Sequence, residues 1–117
     1  MANAAIVVLA DTESHADLGR VVNALQAAKE FADEGDDVRL IFDGAGTQWV
    51  PELSDPEHPS NALFESLTDI VAVCDYCADA FHVGDEIDES AVERVAEFNR
   101  HPSLRQLVAD GYEVITF

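Results

Sequence analysis

The stretch Ile70–Cys77 reads Ile-Val-Ala-Val-Cys-Asp-Tyr-Cys and holds the only two cysteines of the chain. An uninterrupted apolar run of this length predicts a strand buried on both faces, as in a parallel sheet covered by helices. The Cys-x-x-Cys begins where the next helix should start. We expect the Cys74 sulfur to be open to solvent there and to be favoured as the thiolate by the positive end of the helix dipole. The stretch therefore predicts sulfur chemistry at Cys74, assisted by Cys77.

The rest of the chain alternates apolar runs of strand length with segments of helical spacing. Strands are expected at 4–10, 37–42, 69–73 and 112–117, and helices at 16–34, 61–67, 74–81, 91–99 and 104–110. The segments 43–53 and 83–88 are interpreted as loops. This β-α-β-α-β-α-α-α-β order predicts an α/β fold, a three-layer α/β/α sandwich around a mainly parallel sheet of four to five strands. One domain spanning residues 1–117 is expected at this length.

In a parallel sheet, sites lie beyond the carboxyl ends of the strands. The segments 11–15, 43–49 and 74–77 should therefore converge at one edge. Besides the cysteines, this predicts substrate-binding roles for four residues, namely His15, Asp43, Gly44 and Trp49. Trp49 covers a pocket in one interpretation and closes the edge of the core in the other.

The charge balance restricts the partners of the chain. There are 24 Asp plus Glu against 6 Lys plus Arg, so the formal net charge is -18. Such a surface repels nucleic acid and anionic membranes, because it has few cations to replace phosphate counterions. Molar salt shortens the Debye length to about 3 Å and relieves the repulsion, which suggests a halophilic protein. The N-terminus has no basic signal-peptide region and no run long enough to span a bilayer, so a cytoplasmic location is expected.

Metal and cofactor sites are not predicted. Cys74, Cys77 and His82 offer three zinc ligands, but a structural site needs four. His58 and His101 stand beside prolines and are interpreted as neutral surface residues. The segment 11–15 has hydroxyl groups but also two carboxylates, which repel the phosphate of a flavin.

Three motifs carry a resemblance to a known family. They are Val-Arg-Leu-Ile-Phe-Asp-Gly at 38–44, Val-Cys-Asp-Tyr-Cys-Ala at 73–78 and Gly-Tyr-Glu-Val-Ile-Thr-Phe at 111–117. With the apolar first strand and the long first helix, they resemble the DsrE-like family of sulfur-relay proteins, which includes DsrE/DsrF/DsrH and TusB/TusC/TusD. The acidic composition suggests a haloarchaeal single-gene member.

The resemblance implies a three-layer fold that forms homo-oligomers, often trimers or hexamers. It also implies that Cys74 accepts sulfur as a persulfide from a donor protein and passes it to an acceptor. Ala80-Phe81-His82 replaces an Ala-Arg-Gly found in relatives and removes a positive charge. The sequence thus favours a cytoplasmic sulfur relay. Two alternatives stay open: a non-catalytic oligomeric binding module in which both thiols only pack, and a dithiol redox protein.

Overall fold

The computed structural model describes residues 1–117 and contains one sheet of five parallel strands. The strands are β1 (Asn3–Val8), β2 (Asp37–Phe42), β3 (Val71–Cys74), β4 (Glu93–Val95) and β5 (Glu113–Thr116). Their order is β4-β3-β2-β1-β5. Ala4 to Val8 of β1 are all buried, because this strand lies inside the sheet and has a parallel neighbour on either side.

Six α-helices connect the strands: α1 (His15–Asp33), α2 (Trp49–Ser54), α3 (Asn61–Glu65), α4 (Asp75–Ala80), α5 (Gly84–Asp88) and α6 (Leu104–Ala109). The chain steps from β1 to β4 in one direction and then returns to the opposite edge at β5. Right-handed crossovers place α1 to α5 on one face and α6 on the other. The predicted three-layer α/β/α architecture is confirmed. None of the helices combines the length and apolar character needed to cross a membrane.

The two faces of the sheet bury very different amounts of apolar surface. The face beneath α1 holds a cluster of 21 buried residues, among them Ile6, Leu25 and Phe42. The α6 face holds a cluster of five: Ala5, Val7, Ile41, Leu107 and Tyr112. Most of the hydrophobic stabilisation therefore comes from the first face.

Serine side chains cap the starts of two helices. The Ser14 hydroxyl accepts a hydrogen bond from the Asp17 N–H and caps α1, and Ser103 caps α6 through the Gln106 N–H in the same way. Gly111, just after α6, has a φ of 89°, which glycine adopts without steric cost.

The segment 91–99 is not the helix that its spacing predicted. Glu93–Val95 forms the edge strand β4 beside β3, and Phe98, within the predicted helix, is 66% exposed. A short amphipathic segment fits either periodicity, and pairing with the free edge of β3 decides between them. The two predicted loops are also wrong in detail. The segment 43–53 contains the 3₁₀ helix Gly44–Gln48 and most of α2, and 83–88 contains α5.

Candidate functional site

The carboxyl ends of β2, β3 and β4 bring together four side chains that carry ligand or proton-transfer atoms. Asp43 follows β2, Cys74 ends β3, Cys77 lies in the first turn of α4 and His101 lies in the loop after β4. Their sulfur, nitrogen and carboxylate oxygen atoms all lie within 4.8 Å of one another. We call this group the thiol cluster.

The His101 imidazole lies next to both sulfur atoms of the thiol cluster. Its Nδ1 lies 3.2 Å from the Cys74 Sγ and 4.0 Å from the Cys77 Sγ. The Cys77 Sγ also lies 3.6 Å from a carboxylate oxygen of Asp43. Both cysteines are free thiols. The imidazole is therefore in reach of either thiol proton.

Backbone contacts hold each member of the thiol cluster in place. The Cys77 N–H donates to the Cys74 Sγ at 3.5 Å, and the Gly44 N–H donates to the Asp43 carboxylate at 2.8 Å. The loop that carries His101 is fixed to α4, because the Tyr76 N–H donates to the Arg100 carbonyl at 3.0 Å. The Tyr76 ring also packs on the His101 ring, with 5.1 Å between their centroids.

The expected exposed thiolate at Cys74 is wrong. The residue has 0% exposure, and burial raises the pKa of its thiol to about 12. The Cys77 N–H acts in the opposite direction, as a helix start should, but the cost of desolvating the charged form is larger. Cys77 has 9% exposure. Both cysteines are buried, and Cys77 is the less buried residue of the two.

An ion-pair network lies directly beside the thiol cluster. The Arg100 guanidinium bonds to Asp75 at 2.7 Å and also to Asp79, while Arg94 bonds to both carboxylates at 3.1 and 3.3 Å. Hydrogen bonds from Arg100 and then Arg94 lower the pKa of Asp75, against the effect of its burial. The negative charge next to Cys74 is therefore balanced. The two arginines supply the positive charge that the sequence pattern lacks near position 81.

The predicted substrate-binding residues fall into two places. Asp43 belongs to the thiol cluster, and Gly44 orients its carboxylate. His15 and Trp49 instead line a separate cleft of about 380 Å³. Its remaining lining residues are Thr12, Glu13, Ser14, Leu18, Glu52 and His58. We call it the Trp49 cleft.

Trp49 contributes to the core more than to the surface of its cleft. It is 3% exposed, and its indole N–H donates to the carbonyls of Ala10 and Asp11 at 3.0 and 3.1 Å. Of the two interpretations of this residue, the structure favours the one in which it closes the edge of the core.

His101 is the functional candidate that the sequence did not reveal. The segment 91–99 has helical spacing, so the sequence did not predict the strand β4. Without that strand, nothing placed His101 at the carboxyl edge of the sheet. His82, considered as a third zinc ligand, lies just past α4 with a φ of 61°, is exposed and is absent from the thiol cluster. A strand assignment for 93–95 would have placed His101 at the predicted edge.

Comparison with solved structures identifies the same fold in two proteins of unknown function. BT1422 from Bacteroides thetaiotaomicron has a TM-score of 0.64 and 14% identity, covering 97% of this chain and 94% of that protein. MTH1491 from Methanobacterium thermoautotrophicum has a TM-score of 0.64 and 16% identity, covering 98% of this chain and 100% of that protein. At these identities the likeness concerns the fold alone.

Sequence comparison gives the family. The uncharacterized protein MJ0733 of Methanocaldococcus jannaschii is 30% identical over 95 residues, which are 81% of this chain and 78% of that protein. The model of the DsrE/DsrF-like family matches residues 5–117, so the match includes every member of the thiol cluster. This chain belongs to the DsrE/DsrF-like family.

Proposed function

We propose that the protein is a sulfur carrier that holds sulfane sulfur as a persulfide on the Cys74–Cys77 pair. The observation that carries the proposal is the position of His101, whose Nδ1 lies 3.2 and 4.0 Å from the two sulfur atoms. A thiol becomes a nucleophile when a neighbouring base takes its proton. Membership of the DsrE/DsrF-like family is consistent with such a role.

The transfer step exchanges one sulfur–sulfur bond for another. The sulfur of Cys77, the less buried cysteine, attacks the terminal sulfur of a donor persulfide R–S–SH while His101 accepts the Cys77 proton. The bond within the donor breaks, R–S⁻ leaves and takes the proton from His101 to become R–SH, and Cys77 becomes Cys77–S–SH. No net oxidation occurs. An acceptor thiol removes the terminal sulfur by the same exchange in reverse.

Cys74 has a different role in this proposal. The Cys74 sulfur is fully buried and accepts a hydrogen bond from the Cys77 N–H. It can therefore attack a persulfide on Cys77 from the protein interior. Attack of the Cys74 sulfur on the inner sulfur of Cys77–S–SH would release hydrogen sulfide and leave a Cys74–Cys77 disulfide. The closeness of the two thiols favours this dithiol redox reaction as the second candidate function.

The experiment is exposure of the purified protein to inorganic polysulfide under a metal chelator, followed by intact mass and peptide mapping. We expect the wild type to gain sulfur on Cys77. Cys77→Ser should lose the adduct, and Cys74→Ser should keep it while losing the ability to form the disulfide. His82→Asn serves as the control. Persistence of a sulfur adduct in Cys77→Ser would rule out the assigned carrier residue.

Absence of a sulfur adduct in the wild type, with both thiols still reduced after the treatment, would favour the binding-module alternative. In that alternative the thiols only pack and His15 and Trp49 contact a small ligand in the Trp49 cleft.

We also propose that the chain forms a homo-oligomer in a salt-rich cytoplasm. Members of the family form oligomers, and α6 exposes the large apolar side chains of Leu104 and Val108, at 43% and 64%. Apolar groups of this size on one short helix are suited to burial against another chain. Sedimentation equilibrium in molar KCl provides the test, and a monomer mass at all concentrations would contradict the proposal.

A further inference from the structure

We propose that the thiol cluster is also a zinc site, in which all four side chains bind one Zn²⁺ ion. Two thiolates, one imidazole and one carboxylate are donors that zinc accepts, and four is the coordination number of a structural zinc ion. The soft sulfur ligands disfavour Mg²⁺ and Ca²⁺, which select oxygen. The strand β3, the helix α4 and the segments that follow β2 and β4 supply these donors, so the convergence belongs to the tertiary fold and not to a local motif.

The distances between donor atoms fit a tetrahedron around zinc. Zinc–ligand bonds of about 2.0–2.3 Å place neighbouring donors of a regular tetrahedron about 3.3–3.8 Å apart. The observed separations are 3.2 Å from His101 to Cys74, 3.6 Å from Asp43 to Cys77 and 4.0 Å from His101 to Cys77. No pair among the four exceeds 4.8 Å. The upper limit of 4.8 Å exceeds the tetrahedral range by about 1 Å, so side-chain movements of up to about that size bring every donor into bonding range.

The surroundings hold the donors in orientations that suit a metal. The Asp43 oxygen that faces Cys77 is the same oxygen that accepts the Gly44 N–H, so the carboxylate is fixed while a lone pair faces the sulfur. The Cys77 N–H points at the Cys74 Sγ, a contact that stabilises a bound thiolate. The Tyr76 ring packs on the imidazole. Outer contacts of this kind fix ligand orientation in metal sites and raise affinity.

Zinc binding and sulfur carriage use the same two sulfur atoms. Zn²⁺ displaces one proton from each thiol and forms two Zn–S bonds, with no change of oxidation state. A coordinated sulfur has no free thiolate to attack a donor persulfide. The ion therefore blocks sulfur transfer while it is bound. Only this blocking step depends on the proposed function, since the metal site follows from the geometry alone.

The test is titration of the chelator-treated, reduced full-length protein with Co²⁺, followed by Zn²⁺. Tetrahedral cobalt–thiolate sites show visible d–d absorption and near-ultraviolet sulfur-to-metal charge transfer. We expect both signals at one equivalent and their loss when Zn²⁺ displaces Co²⁺, because zinc binds such a site more tightly. Zn²⁺ should also raise the melting temperature.

His101→Asn and His82→Asn form a matched pair of variants. Changes to outer contacts alone cost about 10–100-fold in metal affinity, so loss of the His101 ligand should cost at least about 100-fold. His82→Asn should bind zinc like the wild type, and asparagine tolerates the positive φ at that position. Circular dichroism of each variant without metal establishes that it is folded.

Equal zinc affinity in the wild type and in the Cys74→Ser/Cys77→Ser double variant would overturn the proposal. So would cobalt binding without sulfur charge transfer. The sulfur-carrier proposal is judged separately, from the polysulfide adduct under chelator. Slower formation of that adduct after one equivalent of Zn²⁺, and recovery on adding chelator, would support the blocking step; an unchanged rate at full zinc occupancy would reject it.

Discussion

The thiol cluster and the Trp49 cleft both lie beyond the carboxyl ends of sheet strands, yet only one of them gathers reactive atoms. In the thiol cluster, two sulfurs, an imidazole and a carboxylate face one another in a partly buried space. The Trp49 cleft is large enough for a small ligand and has polar residues around it. The indole N–H of Trp49, however, donates to main-chain carbonyls. A surface cleft is therefore weaker evidence for a reactive site than a group of converging reactive side chains.

The two regions differ because their polar groups have different hydrogen-bond partners. The Trp49 N–H is already satisfied within the protein, so this residue stabilises the fold and has no donor left for a ligand. In the thiol cluster the partners are other reactive side chains, and a proton or a metal ion can pass into the space between them. We expect mutation of Trp49 to lower the stability of the fold and mutations in the thiol cluster to lower the rate of sulfur transfer.

The largest effect is expected for Trp49→Ala. Removing a buried tryptophan side chain costs about 3–5 kcal/mol through lost burial and the cavity left behind. The free energy of unfolding should fall by this amount in a urea titration. Circular dichroism is the appropriate signal, because Trp49 is the only tryptophan and its fluorescence is lost. Material that remains folded should still acquire the polysulfide adduct.

Trp49→Phe is the matched control for this prediction. It retains an aromatic ring but leaves the Ala10 carbonyl without its donor, which costs about 1–3 kcal/mol. A Trp49→Ala protein that is as stable as the wild type but takes up no sulfur would reverse the comparison. The Trp49 cleft would then be the substrate site.

Sequence alone predicted the architecture well, because its signals were local. The apolar runs of β1 to β3 each predicted a strand within two residues of its observed bounds. The strand β4 has three residues at a sheet edge, and its identity depends on a partner distant in sequence. Missing that strand also meant missing His101. Spacing identified the cysteines, but it did not reveal that burial would oppose the thiolate of Cys74.

The second effect concerns catalysis by His101. A positioned base contributes about 100-fold or more to a proton-transfer step, equivalent to about 2.7 kcal/mol. His101→Asn should slow transfer from a persulfide donor to the protein by about that factor. His15→Asn, in the Trp49 cleft, should leave the rate unchanged within about twofold. Stopped-time mass spectrometry under chelator measures both rates at one donor concentration.

A slowing of the same size in His15→Asn would show that the two regions cooperate in sulfur transfer. The pH dependence gives an independent readout of the base. If His101 accepts the proton, its replacement should change the shape of the rate-versus-pH profile as well as the rate. Loss of rate with an unchanged profile would indicate that the residue only positions the loop.

The smallest effect is expected for the change of melting temperature with salt. This effect depends on charge, which differs between the two regions. Glu13 and Glu52 border the Trp49 cleft, which has no lysine or arginine in its lining, whereas Arg94 and Arg100 lie beside the thiol cluster. With a net charge of -18, molar KCl should screen repulsion and raise the melting temperature. A gain of about 1 kcal/mol corresponds to about 4 °C in a domain of this size.

Arg94→Gln should increase that gain, because it removes a cation that bonds to Asp75, Asp79 and Asp88. Arg100 still pairs with Asp75 and Asp79, but Asp88 loses its ion pair, so the local negative charge rises by one. The variant should therefore melt below the wild type in dilute buffer and approach it in molar KCl. Scanning calorimetry of both proteins across the salt range measures the two slopes. A wild-type melting temperature that stays constant or falls with KCl would contradict the salt-rich setting, because attraction within the ion-pair network would then outweigh the repulsion among the remaining carboxylates.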